Sequence, residues 1–120
     1  MMERVVVVFC EEYARGSFVV QALATAGYTV RWVQGVQTAL RLAERERVDA
    51  LVADARSDDV VGDLVARWRR RTPSRAPVVL LTRPTDRASA RLGDEVVSSP
   101  LTVEGITGAV ERAIGDRASA

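Results

Sequence analysis

Asp54 is the residue where chemistry is best sought in this chain. It closes the stretch Val48 to Ala53, apolar from Ala50 on, and is followed by a polar turn and then Gly62. A carboxylate at the C-terminal end of a parallel strand stands where open α/β sheets place their ligands. Aspartate at such a turn also serves simply to cap the next helix, and the local residues leave both readings open. Two more carboxylates, Glu11 and Glu12, follow the first apolar run, and the hydroxyls of Thr82 and Ser99 end the fourth and fifth. Carboxylates gathered on one sheet edge repel one another unless a cation sits between them, and hard oxygen ligands suit Mg²⁺. A carboxylate beside Mg²⁺, with a hydroxyl opposite to hold phosphoryl oxygens, is an arrangement that accepts a phosphoryl group.

What is missing narrows the chemistry further. The chain has no histidine, which removes imidazole acid–base catalysis and His-ligated zinc. All 17 basic residues are arginine, so no lysine ammonium is available to any site. The single cysteine, Cys10, forms no internal disulfide and fits a reducing cytoplasm. It reads either as a redox sensor or, more simply, as a small buried hydrophobe at a strand end. A net charge of +1 with mixed signs argues against a nucleic-acid surface, and the cluster Arg67 to Arg71 suits a solvated helix end. The apolar start, Val5 to Phe9, is too short to cross a membrane.

The elements that must position these residues are legible in the hydrophobic pattern. Val5 to Phe9, Ala50 to Ala53 and Val78 to Leu81 are continuous apolar runs of the kind covered on both faces of a sheet. Tyr28 to Val33 alternates, and Glu95 to Ser98 is a brief fifth strand. Helical spacing predicts helices over 13–26, 36–46, 58–71 and 103–114. Residues 83–92 contain Pro84 and few apolar positions, which predicts a short, weakly anchored fourth helix. The tail from Asp116 to Ala120 is expected to fray. Strands alternating with helices over 120 residues specify one domain, 1–120, an α/β flavodoxin-like (βα)5 doubly wound parallel sheet of order 2-1-3-4-5. Its switch point brings the Cys10-Glu11-Glu12 turn beside Asp54.

On these residues the chain resembles, over essentially its whole length, the receiver domain of bacterial two-component response regulators. The family's acidic pair at the end of strand one falls on Cys10-Glu11, and its glycine–aromatic pair on Gly27-Tyr28. The phosphoacceptor aspartate falls on Asp54, with the loop glycine eight residues on at Gly62. The strand-four hydroxyl falls on Thr82, and the strand-five Lys-Pro pair on Ser99-Pro100. The resemblance implies a weak Mg²⁺ site formed by Glu11, Asp54, the backbone carbonyl of Arg56 and Glu12. It implies protein partners, either a histidine kinase or a downstream signalling protein, no enzymatic activity, and cytoplasmic location without direct nucleic-acid or membrane binding.

The departures from the family pattern are as informative. Cys10 replaces the first acidic residue, Asp58 a proline, Val96 the switch aromatic, and Ser99 the lysine. Thr82 to Pro100 spans 18 positions, shorter than in the family, so the output face around the fourth helix is reduced and the homodimer often built on it is less well supported. Ser99 donates a hydrogen bond but carries no charge to offset an added phosphoryl group of roughly −2. Arg83 is a candidate substitute cation if its guanidinium folds over the edge, against a solvated Arg83 as the simpler reading.

Three functions follow. The first is a degenerate receiver acting as a protein-interaction module, with phosphorylation impaired or absent. The second is a receiver that still takes phosphate at Asp54 with Mg²⁺. The third is a flavodoxin-like enzyme or cofactor binder, disfavoured because Cys10-Glu11-Glu12-Tyr13 presents negative charge where a flavin phosphate would sit.

Overall fold

The alternation of apolar runs and amphipathic segments produces alternating strands and helices. A computed structural model describes residues 3–54, 58–71, 76–83 and 92–119, with Asp58 and 116–119 described as backbone only. The strands are β1 (Val5–Cys10), β2 (Thr29–Val33), β3 (Ala50–Asp54), β4 (Val78–Thr82) and β5 (Glu95–Ser98). The helices are α1 (Tyr13–Thr25), α2 (Val36–Arg45), α3 (Asp58–Arg71) and α4 (Val103–Ser119). The strands form one parallel sheet in the order β2-β1-β3-β4-β5, as the pattern predicts.

Side chains alternate across the sheet and divide the core in two. Val7, Phe9, Leu51, Ala53, Val78 and Leu80 pack on the α2/α3 face with Leu40, Leu64 and Trp68. Val6, Val8, Cys10, Ala50, Val52, Val79, Leu81 and Val97 pack on the opposite face with Val19, Leu23, Ile106 and Val110 of α1 and α4. The buried indole of Trp68 donates to the Ala76 carbonyl at 3.2 Å, tying the end of α3 to the start of β4. α1 ends where Gly27 takes a positive φ of 101°, a conformation that favours glycine, and the chain turns into β2.

α1, β2 and α2 each differ by one residue at one end from the sequence expectation, and two further boundaries differ in ways that bear on the site or the tail. β1 extends one residue further, so that Cys10 is its last strand residue, paired with Asp54. α4 continues through Gly115 to Ser119, because a glycine weakens a helix by about 1 kcal/mol without interrupting its hydrogen bonds. The expected fourth helix and the carbonyl of Arg56 lie outside the described residues.

Candidate functional site

Register and alternation decide what meets Asp54. Cys10 and Asp54 are direct partners on β1 and β3, and both fall on the sheet face covered by α1 and α4. Asp54 is 4% exposed. Its Oδ2 accepts a weak hydrogen bond from the Cys10 thiol at 3.5 Å, and the thiol also reaches the Glu12 carbonyl at 3.4 Å. Burial, chiefly, pushes the Cys10 thiol up to about 11; hydrogen bonding with the Glu12 backbone works against this, and the neighbouring carboxylate of Asp54 adds to it. Cys10 is therefore a neutral, enclosed thiol, in keeping with the simpler of its two sequence readings.

The residue that supplies charge to this corner is one that sequence reasoning leaves out. Arg15, the third residue of α1, places Nε 2.5 Å from Asp54 Oδ2. The contact is an ion pair by distance. Neither Nε nor Nη2 makes a hydrogen bond among the described residues, and both atoms are buried. Nη1 donates to Ser99 Oγ at 3.4 Å, and Ser99 Oγ donates in turn to the Thr82 carbonyl at 3.1 Å. The Ser99 amide donates to the same carbonyl at 3.0 Å. Thr82 is buried, and it joins this network through its backbone. Asp54, Arg15, Ser99 and Thr82 are thus linked across three strand ends.

Sequence offered one signal for Arg15. The first turn of α1 carries no acidic residue, and a cation there opposes the helix dipole. A side chain placed against local preference is a reason to look for a tertiary partner, and here the partner is Asp54. Arg83, the substitute cation considered from sequence, is engaged elsewhere. Its Nη2 lies 3.3 Å from Glu12 Oε2. Glu11 is exposed, and no hydrogen bond or ion pair joins its side chain to Asp54 among the described residues.

Trp32 on β2 braces the turn that carries these groups. Its Nε1 donates to the Cys10 carbonyl at 3.1 Å, and its ring meets that of Tyr13 with centroids 5.5 Å apart. Gly16 lets α1 approach the indole: an added Cβ would lie 2.7 Å from Trp32 Cε2 and 2.9 Å from Nε1. An open cleft of about 520 Å³, lined by Glu12, Arg15, Phe18, Arg83, Ser99 and Leu101, lies over the network.

The architecture has close structural counterparts. The receiver domain of a sensor histidine kinase from Pseudomonas aeruginosa superposes with a TM-score of 0.83 at 22% identity, covering 95% of this chain and 99% of its own. The signal receiver domain of an HD domain-containing protein from Pseudomonas fluorescens gives 0.85 at 21% identity, covering 99% and 100%. A response regulator from Thermotoga maritima gives 0.80 at 22%, covering 95% and 99%. The fold is that of a receiver domain. No protein-family model and no curated protein sequence matches the chain.

The Pseudomonas aeruginosa receiver domain holds a magnesium ion in its active-site cleft. The described residues here do not fit one. Asp54 already faces a guanidinium, Cys10 offers a protonated sulfur, Glu11 is exposed and Glu12 pairs with Arg83. Mg²⁺ asks for several oxygen ligands in near-octahedral array. Among the described residues, no three histidine, cysteine, aspartate or glutamate side chains gather in such a way. The corner instead carries a buried donor, Arg15 Nη2, that lacks an acceptor among the described residues.

Proposed function

We propose that this chain is an atypical receiver domain of two-component phosphorelay signalling, working as a protein-interaction module rather than as an efficient phosphoacceptor. The observation that carries this reading is the Arg15–Asp54 contact. An acceptor carboxylate must be free to attack phosphorus, and a divalent ion commonly neutralises the charge that develops. Asp54 is instead enclosed against a guanidinium and a neutral thiol, with Ser99 where the family has lysine. In this reading its partner is a histidine kinase or a downstream signalling protein. The domain carries no enzymatic activity of its own in this reading.

The test is incubation with acetyl phosphate or beryllofluoride in the presence of Mg²⁺. An unchanged intact mass and unchanged amide NMR spectrum are expected. A mass gain of one phosphoryl group that disappears in Asp54→Asn would instead establish the phosphoacceptor reading.

A further inference from the structure

We infer that Arg15 is a tethered cation that occupies the place of the divalent metal at Asp54, so that the charge of this corner is set by the protein itself and does not depend on Mg²⁺. The inference rests on the receiver reading only for the meaning of Asp54's position.

Three observations converge on it. The first is placement. Arg15 Nε stands 2.5 Å from Asp54 Oδ2, and the Asp54 side chain is 5% and the Arg15 side chain 15% exposed. A positive charge at that distance, on a pair of largely buried side chains, repels a second cation. The second is the supply of ligands. Cys10 stands beside Asp54 where a carboxylate would be needed, and the carboxylates of the β1–α1 turn are directed to solvent or to Arg83. The third is the reach of the guanidinium. Nη1 extends to Ser99 Oγ, which is held to the Thr82 carbonyl. One arginine therefore both neutralises Asp54 and ties it to the loop after β5. Guanidinium suits both tasks because its charge is permanent and its N–H groups point in several fixed directions. Among the described residues, no other basic side chain forms an ion pair with Asp54.

The assignment makes the response to divalent ions depend on residue 15. In wild-type protein and in Arg15→Lys, which keeps the positive charge, Mg²⁺ should leave the urea unfolding midpoint and the tryptophan emission unchanged. In Arg15→Gln, the loss of a neighbouring cation should tighten binding of Mg²⁺ by on the order of tenfold or more, as charge neighbours shift ionic equilibria of carboxylates. Mn²⁺ should then broaden the amide resonances around Asp54 in Arg15→Gln and leave them sharp in the wild type. A second measurement covers the case in which Arg15→Gln does not fold. In wild-type protein the Arg15 Nε–H should give a resonance protected from solvent exchange and unmoved by saturating Mg²⁺.

Mn²⁺ broadening centred on Asp54 in the wild type, an Arg15 Nε–H resonance displaced by Mg²⁺ or unprotected, or a folded Arg15→Gln indifferent to both ions would overturn the assignment. No phosphodonor is present in these experiments. A chain that takes phosphate yet ignores Mg²⁺ would overturn the functional reading and leave the role of Arg15 standing.

Discussion

Arg15 and Asp54 meet across the end of the sheet, with Nε 2.5 Å from Oδ2, although 39 positions separate them in the chain. The pair joins the first turn of α1 to the last residue of β3. Its stability consequence is asymmetric. A buried pair brings little net stability over an apolar replacement, but removing one partner strands the other charge.

Arg15→Ala and Asp54→Ala are therefore each expected to cost about 3 kcal/mol in urea unfolding, the usual penalty for an uncompensated buried charge. The double variant should cost less than the two together, because no stranded charge is left. Additive costs would show that the two side chains do not interact.

The thiol of Cys10 gives the site an alkaline limit. Its folded value is raised from 9.0 to about 11, so the folded state binds more protons than the unfolded chain between those values. Stability from this group is present in full below about pH 9 and declines as pH rises toward about 11. The decline should amount to about 2 kcal/mol and be absent in Cys10→Ala, as read from unfolding midpoints at pH 8, 9.5 and 11. At pH 8 the native thiol should resist alkylation that proceeds readily in denaturant.

Gly16→Ala should force α1 away from the Trp32 indole and cost about 2 kcal/mol, the range for overpacking a filled contact. The shift should be visible as a change in tryptophan emission, since the indole also loses its alignment with the Cys10 carbonyl. Trp32→Phe keeps most of the apolar contact and removes the donor, at a cost of about 1 kcal/mol.

Two aspartates secure the starts of strands. Asp49 Oδ2 accepts from the Val5 amide at 2.8 Å, and Asp94 Oδ2 accepts from the Val78 amide at 2.7 Å. Alanine at either position should cost about 1.5 kcal/mol and speed amide exchange at Val5 or Val78 respectively, because the partner N–H loses its acceptor. Exchange rates unchanged by the substitutions would show that these caps do not protect the strand ends.

Much of this molecule is determined by its sequence alone. The apolar runs ending at Asp54 and Thr82, the helical spacing between them and the short connections leave little freedom beyond a parallel sheet of order 2-1-3-4-5. The period of two along each strand also puts Cys10 and Asp54 on a common face once they are paired. Which cation answers Asp54 was decided only by the tertiary structure. Arg15 and Arg83 are chemically identical, and both stand near the same sheet edge. The packing of α1 on the face shared by Cys10 and Asp54 brings Arg15 inward, whereas Arg83, just beyond β4, meets Glu12. Charge compensation between residues distant in sequence depends on where helices cross strands and which way long side chains can turn. Local periodicity carries no record of either. Asp54 was legible as the centre of the candidate site, and its partner became legible only when α1 was in place.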